Sequence, residues 1–477
     1  MSIGFRKVVL AFFLFFFLFL GHQVARFDRL GMVFFFLLPL LLTVLLNVEW
    51  GVYGLLFLGF SVMFIKRMMP GLDMNQVGLA MDALLLLMAL RVSFDLLVEK
   101  KIAAFSSPLT LPLLVFTLYL FLEVFNPLAP SLMFGITGTR ATIRILGFFI
   151  FLHAFRSRLA IKRFLFVWLF LAFCEGLYGI WQHHHGLLYQ EFNWLIESRS
   201  ANTHILNGYI RIFGTLGDAA TFGFVQIAGA LILLALALTG DFKKRAFCFV
   251  LSLPMLYAAV LSYSRGPIVA FAAGVLALIA ASRNLKLAIA LLLLFSFGTG
   301  ALTLTGKDHL VDRLASAATP AEDASFQVRM DYLNRFLPEI ITHPFGFGLN
   351  TTGASGASAA GGEVYYGSTV GIPTDNQYFK YGLELGWVGL LLFLWLYRAF
   401  WWRAYRIFEK MEDPFLKSVA LGLFAVLTAF GVGAFSNDIY GQKPISEFLY
   451  LAFGLVALLG QHRRMDGKKE DHPVGFG

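Results

Sequence analysis

Apolar runs of membrane-spanning length follow one another along almost the whole chain, and no other feature restricts its fold as strongly. Candidate spans lie near 8–21, 31–47, 50–65, 79–97, 109–125, 142–155, 164–182, 220–238, 246–263, 267–281, 285–304, 386–402, 416–435 and 445–460, about fourteen in all. Each approaches the roughly 20 apolar residues that a helix needs to cross a bilayer. Helices satisfy their own backbone groups inside lipid, so these runs predict an all-α polytopic membrane protein with about 12–14 transmembrane helices. Composition agrees: 58% of residues are hydrophobic and 14% charged, with mean hydropathy +0.73, where soluble domains average about a quarter charged. The run from Val8 to Leu20 could pass for a signal-peptide core. No small-residue cleavage pattern follows it, so it reads as a retained helix.

The formal charge of +9 sits in short basic clusters between the spans, which fits membrane topology rather than nucleic-acid binding. Arg156, Arg158, Lys162 and Arg163 form one cluster, Lys243, Lys244 and Arg245 the next, then Arg283 with Lys286. Arg398, Arg403, Arg406 and Lys410, and finally Arg463, Arg464, Lys468 and Lys469, continue the series. Every second connection from residue 156 onward is therefore basic and expected in the cytoplasm, together with the tail 461–477. Connections 183–219, 262–266, 305–385 and 436–444 are then extracytoplasmic. The first third obeys the rule less well. Arg6 and Lys7 argue for a cytoplasmic start, but Arg26, Arg29, Lys66 and Arg67 then fall outside, which points to a shallow or re-entrant segment among the first three spans. Cys174 and Cys248 lie in apolar runs with neither disulfide nor metal-ligand spacing. His183, His184 and His185 are adjacent, and three adjacent imidazoles on a helix cannot all face one metal.

Polar groups where lipid cannot solvate them are candidates for function. Asp82, Arg91 and Asp95 share one span, and the four-residue spacing of Arg91 and Asp95 suits a pair along one helix face. Arg140 and Arg144 stand at the outer end of the sixth span, either as headgroup anchors or as anion ligands. Arg265 lies in Ser262-Tyr263-Ser264-Arg265-Gly266-Pro267, where two apolar helices meet with almost no loop. A guanidinium keeps its charge and offers a planar fork of donors that suits phosphate or diphosphate, and Gly266 permits close approach. Arg211, in Arg211-Ile212-Phe213-Gly214, falls on the same expected side. Arginines converging at a membrane face fit an anionic headgroup or a lipid-linked diphosphate.

The long polar interruption from Thr305 to Gly386 must sit in water or line a wet cavity. Phe326, Met330, Leu333 and Leu337 recur at helical spacing, which predicts an amphipathic helix over 325–341 with Arg329 on another stripe. It ends near His343-Pro344, because proline disfavours helix at the preceding residue. A Gly/Ala/Ser-rich tract runs from Gly353 to Gly362. Asp375-Asn376 opens the helix that returns to the membrane, either as an N-cap or with Asp375 as a general base, made more basic by partial desolvation. His343 is the second candidate base, since imidazole titrates near neutrality.

Taken together these segments resemble the O-antigen ligase and polymerase superfamily of bacterial membrane glycosyltransferases. Ser262-Tyr263-Ser264-Arg265-Gly266 is similar to the family's Ser-x-Ser-Arg-Gly turn, and Arg211-Ile212-Phe213-Gly214 to its Arg-x-x-Gly segment. Arg329 to Tyr332, then His343-Pro344-Phe345-Gly346-Phe347-Gly348, resembles its loop helix with a His-Pro-x-x-Gly-x-Gly ending. Asp375-Asn376-Gln377-Tyr378, followed by Glu384-Leu385-Gly386-Trp387-Val388-Gly389-Leu390, resembles its returning segment. The resemblance covers mainly 205–395. It divides the chain into N-terminal transmembrane helices 1–204, a core 205–395 containing loop 305–385, C-terminal transmembrane helices 396–460 and the tail 461–477.

The resemblance implies a GT-C-like helical bundle in the bacterial inner membrane with a large helical extracytoplasmic loop. It implies glycan transfer from an undecaprenyl-diphosphate carrier, with neither metal nor other cofactor. The acceptor is another lipid-linked repeat unit in polymerases and lipid A-core in ligases; membrane lipids and polysaccharide assembly proteins are the remaining partners, and nucleic acid is not one. Arg211, Arg265 and Arg329 are then the diphosphate-binding set, and Asp375 and His343 the catalytic candidates. Ligases typically carry His-Asn where this chain has Asp375-Asn376, a difference that favours a polymerase. A lipid-linked glycan transporter would concentrate polar residues near the midplane, and a structural subunit would leave Arg265 and Asp375 freely replaceable.

Overall fold

The computed structural model describes residue 44 and residues 47–69, 74–99, 107–198, 200–206, 208–239, 241–284, 324–353, 356–357, 370–372 and 374–470. The spans expected near 8–21 and 285–304, almost all of 31–47, and most of the Gly-rich tract lie outside the described residues, as do Arg6, Lys7, Arg26, Arg29 and Lys286.

Among the described residues sixteen helices follow in chain order, with one very short hairpin. They are α1 Val48–Met68, α2 Met74–Glu99, α3 Thr110–Glu123, α4 Leu132–Ile143, α5 Leu146–Ala154, α6 Arg158–His185, α7 Tyr189–Glu197 and α8 Ala201–His204. The hairpin pairs β1 Ile205–Leu206 with β2 Tyr209–Ile210. Then come α9 Ala219–Ala237, α10 Phe242–Leu261, α11 Arg265–Ser282, α12 Ala324–Thr342, α13 Gln377–Glu384, α14 Gly386–Lys410, α15 Pro414–Gly433 and α16 Ile445–Glu470. Among the described residues six helices are long and apolar enough to cross a membrane: α1, α6, α9, α10, α11 and α15. The chain is an all-α, multi-pass membrane protein.

Helix α9 is the axis of the bundle. It is apolar all round, as a fully enclosed helix must be, and almost every residue in it is buried. It packs on α6, α10, α11 and α15. Lipid tails are as apolar as leucine, so association depends on close van der Waals contact, and small residues bring backbones together. Gly274 of α11 meets Leu231 of α9, and Gly422 of α15 lies against Ile232. Aromatic rings fill the second half of the core, with Phe400 stacked on Phe453 at 4.0 Å between centroids.

The span expected near 142–155 differs from the structure. It is two helices, α4 and α5, joined by a tightened turn in which the N–H groups of Ile145, Gly147 and Phe148 each reach three residues back. The arginines expected at its outer end are paired within the protein. Arg140 Nε bonds Asp82 Oδ2 at 2.6 Å; Arg144 donates to Gly441 O at 3.2 Å and lies 3.9 Å from Glu447. Arg140 is thus held by a carboxylate, and Arg144 by a backbone carbonyl with a carboxylate nearby. Arg91 and Asp95 form the expected four-residue pair at 3.1 Å, and His153 Nε2 adds a 3.3 Å contact to Asp95.

Contacts between segments remote in sequence sort the helix ends into two faces. Arg158–Asp413 and Arg163–Glu49 pairs, with a Thr239–Ser418 hydrogen bond, mark the end that carries the basic clusters. The other end gathers the C-terminus of α1, the segments 186–217 and 262–266, residues 343–353, and the turn 434–444. These are the connections that the charge pattern assigns to the outside.

The stacked Phe400–Phe453 pair is fully buried, so Phe453→Ala should lower stability by about 3–5 kcal/mol. Thermal unfolding in detergent measures this; a shift within error of wild type would show that α14 and α16 do not depend on the stack.

Candidate functional site

The site begins with a turn. After α10, residues 262–264 reverse the chain, Tyr263 taking φ +51° with its ring stacked on Tyr209. Ser262 Oγ donates to Ala259 O at 2.7 Å, anchoring the turn to α10. Ser264 occupies the N-cap position of α11, yet its side chain makes no capping bond. Its hydroxyl is engaged elsewhere: Arg211 Nη2 donates to Ser264 Oγ at 2.5 Å. The same guanidinium donates from Nε to Ser262 O at 3.4 Å and from Nη1 to Thr203 O at 2.9 Å. Arg211 therefore joins two segments about fifty residues apart, as the spacing of 211 and 262 gives. The next residue, Arg265, opens α11. Pro267 in the first turn lacks an N–H that would have no intrahelical partner anyway. Two arginines and a helix N-terminus without a side-chain cap thus meet on one turn, the combination that attracts anions.

Gly266 is closely approached by the turn before α16. A Cβ there would overlap Ser436 Oγ and crowd Asn437. The turn 434–437 in turn holds the returning segment, since Gln377 N donates to Ala434 O at 2.8 Å and Tyr440 N to Gln377 Oε1 at 3.0 Å. Asp375 lies two residues before Gln377, so it flanks the same turn as Arg265. Asn376, not Asp375, caps α13, accepting from the N–H groups of Tyr378 and Phe379. Asp375 is exposed, in contrast to the partial desolvation expected of it.

His343 occupies a different place. Helices α12 and α13 run side by side in the same direction: Phe336 meets Phe379, Ile340 packs on Gly382, and Phe347 N donates to Leu383 O at 2.8 Å. His343, just past the end of α12, is thus at the C-terminal end of α13, with Asp375 at its other end. Eight residues at 1.5 Å rise span about 12 Å. His343 Nδ1 lies 2.9 Å from Glu339 O and 3.0 Å from Thr342 Oγ1, and its ring packs on Phe347. The same register puts Arg329, in the second turn of α12, toward the Asp375 end; its side chain lies outside the described residues.

Several groups were not singled out from the sequence. Lys380 pairs with Asp438 at 2.5 Å, tying α13 to the turn before α16. Burial alone would lower the Lys380 pKa, but Asp438 and Glu384 hold it above its ordinary value. Glu384 is buried and accepts from Thr352 N and Oγ1 at 3.1 and 2.7 Å, fixing the start of the Gly-rich tract; burial pushes its carboxyl pKa up. The signal for these was a lysine and a glutamate on the inner face of a short helix whose packing partners are remote in sequence. Arg67 is also buried here, against Gly214 O at 3.0 Å.

Among the described residues, no group of three or more His, Cys, Asp or Glu side chains is arranged to hold a metal. His183, His184 and His185 close α6, with His185 stacked on Trp181.

The chain is a multi-pass helical bundle with a cationic turn and an acidic helix start at one polar end. Residues 247–394 match the family model described as O-antigen ligase, and this match supports the resemblance to the O-antigen ligase and polymerase superfamily. The match contains Arg265, Arg329, His343 and Asp375, while Arg211 precedes it. The family implies a glycosyltransferase-type enzyme acting on glycan and lipid-linked substrates in general. No curated protein matches the chain.

Lys380→Met would leave Asp438 without its partner. The expected cost is on the order of 3 kcal/mol, at the low end for a buried pair because both side chains keep partial exposure. Lys380→Met/Asp438→Leu should recover most of it; equal loss in single and double variants, by thermal unfolding, would contradict the pairing.

Proposed function

We propose that the protein is an inverting glycosyltransferase that polymerises undecaprenyl-diphosphate-linked repeat units at the outer face of the inner membrane. The observation that carries this reading is the meeting of Arg211, Arg265 and the N-terminus of α11 on one turn, with Asp375 flanking the neighbouring turn. An acceptor sugar hydroxyl attacks the anomeric carbon of the donor. The bond from that carbon to the diphosphate oxygen breaks, and undecaprenyl diphosphate leaves with the electron pair. Asp375 takes the hydroxyl proton. The arginines stabilise charge growing on the diphosphate, the kind of electrostatic contribution that dominates many active sites. Arg329 is a third member of the set on the α12 side.

Asp375 is preferred over His343 because it lies two residues from Gln377, which bonds the 434–437 turn that packs on Gly266, whereas His343 is at the far end of α13 with Nδ1 engaged by Glu339 O. A positioned carboxylate suffices as base for displacement at an anomeric carbon. Asp375-Asn376 in place of the His-Asn of ligases favours a polymerase over transfer to lipid A-core.

Arg265→Ala and Asp375→Asn should each slow transfer about 10²–10⁴-fold in purified protein given a lipid-linked repeat unit, with membrane insertion and thermal stability retained. Wild-type rates in both variants would refute the site. Orientation has its own test. A cysteine replacing Asp375 should react with a membrane-impermeant maleimide added to intact spheroplasts, and one replacing Lys244 should not; the reverse pattern would invert the topology.

A further inference from the structure

Arg67 is the charge that fits the sequence pattern worst. It belongs to the basic pair Lys66-Arg67 on the side that the charge rule leaves acidic or neutral. The structure buries it to 2% exposure at the end of α1. Its Nη2 donates to Gly214 O at 3.0 Å, while Nε and Nη1 have no hydrogen-bond partner among the described residues. The guanidinium instead lies over the rings of Phe213, at 4.8 Å, and Trp194, at 5.3 Å. Flat contact with aromatic faces is a property of arginine that lysine lacks.

The segment that Arg67 touches is gripped from several directions. Gly214 N donates to Gln182 Oε1 at 2.8 Å, and Gln182 Nε2 returns a 3.2 Å bond to Gly214 O. Thr215 N donates to Glu175 Oε1 at 2.8 Å, and Thr215 Oγ1 to Phe60 O at 2.6 Å. Gly214 sits at φ +58°, and a Cβ there would overlap Glu175, so only glycine allows the grip. Three residues upstream, Arg211 makes its bonds to Ser262 O and Ser264 Oγ.

We infer that Arg67 is a positioning residue for the diphosphate site: it fixes Phe213-Gly214 and thereby sets where Arg211 meets the turn that presents Arg265. The inference rests on the proposed reading of that turn. It also accounts for a cation on the outer side, because this one is spent inside the protein on a carbonyl and two rings, with the Glu191 and Glu175 carboxylates in electrostatic range. Displacement of catalytic groups by about 1 Å can cost about 10²-fold in rate, so a residue outside the reaction can govern it.

The test uses the purified full chain with Arg67→Met and Arg67→Lys. Hydrogen exchange of peptides covering 209–217 should speed up in both, at the Gly214 and Thr215 amides above all, while α9 and α15 stay protected. Transfer should fall about 10²-fold in Arg67→Met, lysine should not rescue it, and Arg67→Met/Arg211→Ala should be no slower than Arg211→Ala alone. Unchanged exchange at 209–217 overturns the inference, as does a double variant whose losses multiply. Local loosening with undiminished transfer also overturns it, while leaving the glycosyltransferase reading intact. Absence of transfer by wild-type protein would instead fault that reading, with exchange still reporting on Arg67. If Arg67→Met fails to fold, Arg67→Lys decides by the same readouts.

Discussion

The polar end of the molecule depends on one guanidinium. Arg211 bonds Thr203 O, Ser262 O and Ser264 Oγ, so the segment before α9 and the turn between α10 and α11 become one piece. Apolar helices have little to hold their loops in register at a membrane face, because water competes for every polar group there. A charged, planar donor that reaches several acceptors at once supplies that register. With Ser264 engaged by Arg211, α11 begins without a side-chain cap and with Arg265 in its first turn. Local structure thereby becomes electrostatics: the arrangement that orders the turn also leaves it attractive to an anion.

Around that turn the protein repeats one device, a polar side chain that grips backbone from a remote helix. The Gln182 side chain holds both groups of Gly214, the Gln377 side chain holds Tyr440 N, and the Glu384 side chain holds Thr352 N. Each bond joins an outer segment to a spanning helix or to the helix that leads into one. Burial makes each such group costly to leave unpaired, and the grips consequently rigidify the outer face. Groups that must be held within a fraction of an ångström need such support from residues that never touch substrate.

The helical bundle was legible from residue order because lipid permits so few structures. Runs such as 220–238, 246–263 and 416–435 correspond closely to α9, α10 and α15. The break between α4 and α5 was not legible, since its turn keeps helical backbone angles and contains neither proline nor glycine at Arg144-Ile145. Of the site, Arg211, Arg265 and Gly266 were readable because charge and glycine at the edge of a span have few reasons to be there. That Asn376 rather than Asp375 caps α13 was not readable, because either side chain can do it. The separation of His343 from Asp375 follows from the parallel register of α12 and α13, which depends on packing of Phe336, Phe379 and Ile340. Arg67 stood out only as a charge on the wrong side and Lys380 not at all, because their partners, Gly214 and Asp438, are distant in the chain.

The central claim is that this end of the bundle joins glycan units carried on undecaprenyl diphosphate. Mass spectrometry of lipid-linked glycans, in a strain lacking the protein, addresses it most directly. The account predicts accumulation of single repeat units on the diphosphate carrier. Long polymer accumulating on the carrier would contradict the polymerase reading and make the protein a ligase; an unaltered lipid-linked pool would contradict glycosyl transfer altogether.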